Sequence, residues 1–207
     1  NLAYENSESF RDFVDRKTIF FAPVVKWNVS PRTQITAEME YHNINTKSDG
    51  LLPALGNRPA PIPISRYLDE PSFSKSANER FFTGLNWSHE FNDDWKITHR
   101  LSGEFIHGRG HREIVPFSSV QPDGTVQRFL ADVPPGQQEN RYQSSLNLIG
   151  HFDTGMVKHT LLFGYDFLYQ TDKYSVAKCC DTDPASNFPI NVFNPVYGLG
   201  IPSLDQI

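Results

Sequence analysis

No stretch of the sequence reaches 18 uninterrupted apolar residues, so a transmembrane helix, which needs about 20, is excluded. Basic residues are in the minority, with 19 Lys and Arg against 24 Asp and Glu and a formal net charge of −5. That balance argues against a nucleic-acid binder, which presents a basic face. Cysteine is scarce, and the only two, Cys179 and Cys180, are adjacent. Neighbouring Cα atoms lie about 3.8 Å apart, short of the usual disulfide separation of about 4.4–6.8 Å. A strained vicinal disulfide, pairing with cysteines elsewhere and free thiols all remain open. A zinc site lacks further ligands at workable spacing, and a loop staple in an oxidising compartment is the simplest reading. The start carries no initiator Met, signal peptide or cleavage site, and Asn1-Leu2-Ala3-Tyr4-Glu5 already reads as part of a strand. The sequence is therefore expected to be a piece of a larger protein.

What is present is an alternating pattern. Mean hydropathy is −0.47, as in a water-soluble protein, yet a membrane barrel is compatible with it because only alternate residues of its strands meet lipid. The stretch from Glu79 to His107 is the clearest case. Phe81, Leu85, Trp87 and Phe91 share one face, while Arg80, Phe82, Gly84, Asn86, Ser88 and Glu90 share the other. After Asn92-Asp93-Asp94, Trp95, Ile97, Leu101 and Phe105 face one way, and Lys96, Thr98, Arg100, Ser102 and Glu104 the other. A period of two marks a strand between an apolar and a polar medium. Each arm would span roughly 35–40 Å, longer than globular strands of about 5–6 residues and sufficient for a tilted membrane crossing of about 9–11.

The same alternation predicts strands over 17–29, 34–45, 141–152 and 156–171, with a bulge at Pro23, which cannot donate to a ladder. Glu38 and Glu40 share a polar face with Thr36 and His42, as a wet interior requires. Tight turns near Pro31, Asp93 and Thr154 alternate with long loops over 46–78, 108–140 and 172–207. Short turns at one end and long loops at the other are the asymmetry of an outer-membrane barrel. The expected fold is all-β: an antiparallel up-and-down transmembrane β-barrel of which six strands and part of a seventh are present. Bare edges in lipid would cost several kcal/mol per unpaired group, so further strands must lie outside this sequence.

A set of short stretches runs along nearly the whole chain: Tyr4-Glu5 with 9–14, Trp27-Asn28-Val29-Ser30-Pro31-Arg32-Thr33, Gly50-Leu51-Leu52-Pro53 and Gly56-Asn57-Arg58-Pro59, then 87–93, 159–167 and Val192-Phe193-Asn194-Pro195-Val196-Tyr197. In this order they resemble the TonB-dependent outer-membrane receptors for ferric siderophores, nearest to the ferrichrome and hydroxamate type. The resemblance implies that residues 1–207 are part of a large plugged barrel, with the plug and the TonB-contacting segment lying outside it. It implies an outer-membrane receptor, not an enzyme, that takes up a ferric siderophore without covalent chemistry and without a cofactor, with TonB and outer-membrane lipid as partners. Carried over by position, Leu51, Tyr67, Phe117 and Phe193 are the expected ligand-binding residues. The adjacent cysteines depart from the family's wider spacing, so its disulfide is not carried over.

His107-Gly108-Arg109-Gly110-His111-Arg112-Glu113 has the spacing of a metal site, but two arginines beside the imidazoles oppose a cation. Gly108 and Gly110 form no phosphate loop, because no helix follows. A passive porin, needing no plug, and a soluble β-sandwich binding module are the competing classes.

Overall fold

The computed structural model describes residues 1–47, 52–72, 75–133, 135–174, 178–179 and 187–198. The chain forms β1 (Leu2–Glu8), β2 (Asp15–Phe21), β3 (Val24–Ser30), β4 (Thr33–Lys47), β5 (Ala54–Leu55), β6 (Arg58–Pro59) and β7 (Lys75–Glu90). It continues with β8 (Trp95–Pro116), β9 (Thr125–Val126), β10 (Arg128–Val133), β11 (Gln137–Thr154), β12 (Val157–Lys173), β13 (Lys178–Cys179) and β14 (Ile190–Asn191). There is no helix among the described residues.

Ten of these strands make one antiparallel sheet. Both β2 and β3 lie along the same side of β4, the first against Tyr41–Thr46 and the second against Thr33–Glu38. They are one ribbon broken at Ala22 and Pro23, as the missing donor of Pro23 requires. The ladder resumes where the Met39 amide donates to the Pro23 carbonyl at 3.1 Å. In the same way β10 and β11 share one side of β8, and β13 continues β12 above the break. The sheet is therefore seven ribbons wide, running β1, β2/β3, β4, β7, β8, β10/β11, β12/β13. It is open: among the described residues β1 pairs only with β2, and β12 only with β11.

One expectation needs correcting. The stretch 108–140 is mostly β-structure rather than loop, since β8 runs on to Pro116 and the chain returns as β10 from Arg128. Apolar alternation fades there because the ribbons have left the bilayer: some positions meet water while others, such as Ile114 against Phe188 and Leu130, are covered by the loops, and the backbone ladder continues.

The two faces differ as a bilayer wall demands. The outer face of β12 holds Leu161, Phe163, Tyr165, Phe167 and Tyr169, all exposed, with Phe163 at 59%. Aromatic side chains form two rows. In the upper one, ring centroids follow from Phe81 to Phe105 at 6.2 Å, to Tyr142 at 5.6 Å and to Tyr169 at 6.2 Å. The lower one carries Phe91 against His89 and Phe152 against His159, each at 4.9 Å. Phe81 and Phe91, Trp95 and Phe105, and Tyr142 and Phe152 each stand ten positions apart. At a tilt of about 40–45° that separation projects to about 24–26 Å, the height of the apolar band between the girdles of an outer-membrane barrel.

The inner face carries charge. Arg80 pairs with Glu40 and donates from Nε to Glu104 at 2.5 Å. Glu104 also takes Arg141 at 2.6 Å, and Arg141 reaches Glu139 at 2.5 Å. This ladder crosses β4, β7, β8 and β11, tying ribbons together on the wet side. Gly84 leaves the space that the Glu38 side chain fills, since a Cβ there would meet its Oε1 at 2.6 Å.

Candidate ligand-capture site in the long loops

The long connections fold together above the sheet. Ala60, Leu68, Val120, Val126, Ile190 and Val192, drawn from three separate connections, bury one another, with Ile62 and Tyr197 packed against them. None of these segments has a regular apolar period, because each contributes only one or two side chains. Short backbone ladders hold them: β5 with β6, and β9 with β14. Cross-links join the segments, with the Val120 amide on the Ala54 carbonyl at 2.8 Å and the Val192 amide on the Gly124 carbonyl at 2.9 Å.

Arg128, the first residue of β10, is the polar centre of this cap. Its side chain is 1% exposed and Glu70's is 3%. Nε donates to the Phe188 carbonyl at 2.8 Å, and Nη1 to the Leu68 and Asp69 carbonyls, both at 3.1 Å. Nη2 lies 3.8 Å from Glu70 Oε2. Burial pulls the guanidinium's pKa down, while the charges of Glu70 and Asp69 oppose that pull. A planar fork carries donors on separate nitrogens in fixed directions, so Nε and Nη1 reach carbonyls of two different connections, which the single nitrogen of a lysine would have to reach from one point. The loops are thereby fixed relative to one another and to the ribbon below.

The turn between β1 and β2 joins the same body. The Asp12 amide donates to the Ser65 carbonyl at 2.9 Å, and Arg11 Nη1 to the Arg66 carbonyl at 2.9 Å. Phe13 has φ of 65°, the one non-glycine in left-handed backbone among the described residues. That conformation puts its ring 5.9 Å from Tyr67 and 5.5 Å from Tyr197. Tyr197 Oη donates to the Tyr67 carbonyl at 2.7 Å, and burial raises the phenol's pKa above its ordinary value.

Of the residues expected from sequence, Tyr67 is fully buried and floors the cap. Phe117 and Phe193 are 53% and 47% exposed, on the rim of the same body. Phe117 leans on Phe129 at 5.4 Å. Phe193 lies over Gly124, whose φ of +83° and missing Cβ admit the ring. Leu51, Cys180 and the side chain of Cys179 lie outside the described residues. So do the side chains of His111, Arg112 and Glu113, whereas Arg109 is tied to Glu79 at 2.9 Å. Arg128 and Phe13 carried no signal in the sequence. A lone arginine between Gln127 and Phe129 announces its burial only once three loops are brought together.

No family model matches the chain. It is 28% identical, over an alignment of 207 residues that covers 96% of it, to the metal-pseudopaline receptor CntO of Pseudomonas aeruginosa. The chain spans about a quarter (27%) of that relative's length. Among solved structures it superposes on the siderophore receptor PiuA from Acinetobacter baumannii with a TM-score of 0.71 at 18% identity, covering 89% of this chain and 29% of PiuA. The ferric preacinetobactin receptor BauA of the same organism gives 0.72 at 14% identity, covering 94% of this chain and 29% of BauA. The seven ribbons, their paired aromatic girdles and the loops gathered above them thus give this chain the fold of an arc of an outer-membrane β-barrel, the fold it shares with these receptors.

Proposed function

We propose that residues 1–207 form part of the barrel domain of a TonB-dependent receptor that captures a ferric siderophore at the cell surface and admits it without covalent chemistry. Further strands would continue from the free edges of β1 and β12, and a plug outside this sequence would fill the lumen. The observation that carries the reading is the pre-folded cap, with Phe117 and Phe193 presented on its rim above a membrane-spanning sheet. A siderophore already satisfies its metal, so the protein need only grip the organic rim with aromatic surface and a few donors. A cap that keeps its shape unbound loses little freedom on binding. TonB would supply the work of release through the plug.

A second reading concerns the cargo. A relative aligned over 96% of this chain is named for metal-pseudopaline, which favours a metal–pseudopaline chelate as the cargo. Uptake of radiolabelled metal by cells producing the full-length receptor tests both readings. Dependence on TonB with a ferric siderophore supports the first, and dependence on TonB with metal-pseudopaline alone supports the second. Uptake of either that persists without TonB discards active transport in favour of a passive pore.

A further inference from the structure

Glycine inside a strand weakens it and marks a place where something comes close. On the inner face Glu38 fills the space over Gly84, and on the outer face the Trp95 ring covers Gly150. Gly103 differs. It sits on the outer face of β8 with ordinary backbone geometry, so conformation does not require glycine there. The Phe105 ring leans over one side, 3.2 Å from where a Cβ would stand, and the Thr83 methyl lies at 3.6 Å. Around them a hollow of about 440 Å³ remains open, walled by Leu85, Leu101, Tyr142 and Phe167. That is within the size range of small-ligand sites, about 300–1,000 Å³.

Position decides the occupant. Gly103 stands two residues below Phe105 in the upper aromatic row and eight above Trp95 in the lower one. The hollow therefore opens outward within the hydrocarbon band, just beneath the upper girdle, where acyl chains lie and water does not. Of its small floor residues, Thr83 on β7 pairs with Gly103 on β8, and Ser144 on β11 pairs with Leu101, the next residue down the same face of β8, so the depression runs obliquely across ribbons. Ser144 is already engaged by His99 at 2.9 Å, and His99 by Trp87 at 3.3 Å, so the polar atoms below the hollow are satisfied within the protein. What is left for an occupant is apolar surface. We propose that this hollow seats an acyl chain of an outer-leaflet lipid, its headgroup held at the level of Phe81, Phe105 and Tyr142. The site is independent of the chelate that the receptor takes up.

The test uses the full-length receptor in vesicles of phosphatidylethanolamine and phosphatidylglycerol containing a phosphatidylethanolamine with a diazirine on one acyl chain. After illumination, crosslinked peptides are mapped by mass spectrometry. Labelling is expected at Thr83, Leu101 and Tyr142, and should fall at least fivefold in Gly103→Leu and in Thr83→Leu, which fill the hollow from two sides. Labelling at Leu161 and Phe163, on the open outer face, should stay unchanged in both variants and serves as the folding control. Equal labelling in wild type and both variants overturns the proposal. So does crosslinking of these peptides to a second protein copy instead of to lipid.

Discussion

Replacing Arg128 by methionine removes the fork and keeps most of the volume. Three carbonyls, those of Phe188, Leu68 and Asp69, lose this donor. Each such loss in a buried place costs about 1–3 kcal/mol. Glu70, at 3% side-chain exposure, also loses its facing cation. Breaking a buried pair by removing one partner costs about 3–5 kcal/mol. Against these stands the relief of no longer burying a guanidinium, the penalty that lowers the pKa of Arg128. The terms overlap, so the net expectation is the single-partner figure, about 3–5 kcal/mol lost from the cap. At about 1.4 kcal/mol per decade the equilibrium for cap opening should rise by roughly 10²–10³ or more.

Hydrogen exchange in the full-length receptor reads this directly. The amides of Phe188, Val192 and Val120 all donate within the cap, and their exchange should accelerate by that factor. Amides of β11 and β12 inside the membrane band should not change, because local opening leaves the ladder below intact. Arg128→Lys should fall between, since one ammonium cannot span three carbonyls. Ligand affinity should weaken in proportion to the fraction of receptor with its cap closed. Unchanged exchange at Phe188 and Val192 in Arg128→Met would refute the claim that this side chain holds the loops together.

Four further substitutions have expected outcomes. Phe193→Ala in the full-length receptor should weaken binding of its chelate several-fold in a direct titration; unchanged affinity removes Phe193 from the site. Glu104→Ala takes the shared carboxylate from both Arg80 and Arg141. Because those arginines are more than a third exposed, the loss should be only about 1–2 kcal/mol, seen as a lower unfolding temperature in detergent. Arg100→Ala gives up only an exposed bond to Asn86 at 2.9 Å and a loose pair with Glu38 at 3.8 Å, so it should shift stability by less than about 0.5 kcal/mol, and the reverse ranking would reject the ladder. Gly150→Val drives a branched side chain into the Trp95 ring, which should cost about 1–3 kcal/mol and change the tryptophan emission; an unaltered spectrum contradicts the packing of Trp95 over Gly150.

The membrane half of this molecule was legible because lipid on one side and water on the other force a period of two on every ribbon. Pro23 announced the break between β2 and β3 through a donor it does not have. The upper half was not legible, for two physical reasons. Along 106–110 both faces of β8 are at least partly exposed, so His107, Gly108, Arg109 and Gly110 alternate in nothing, although the ladder with β7 persists, and beyond them Ile114 is covered by Phe188 of a distant loop. In the cap, the core is assembled from single residues as distant as Ala60 and Val192, and no local window contains enough of them to make a pattern. Phe117 and Phe193 could be placed by resemblance alone. That the same body buries Tyr67 beneath Phe13 and Tyr197 follows only from the three-dimensional packing.

The position of Arg128 in the chain joins these two halves. It is the first residue of β10, and its backbone pairs with Pro116 at the top of β8, while its side chain closes the cap. The ribbons that leave the bilayer are therefore the stem on which the loops are mounted. A cap fixed in this way can tilt as a body by bending the β8–β10 ladder or by releasing Arg128 from its carbonyls, and in either case must also give up the bonds from the β1–β2 turn to Ser65 and Arg66. The ladder is continuous with strands anchored by two rows of aromatic rings in the bilayer, which makes the arginine the weaker joint. Any loop motion that accompanies capture should accordingly begin at Phe188, Leu68 and Asp69, and leave the sheet from Trp95 to Phe105 where it is.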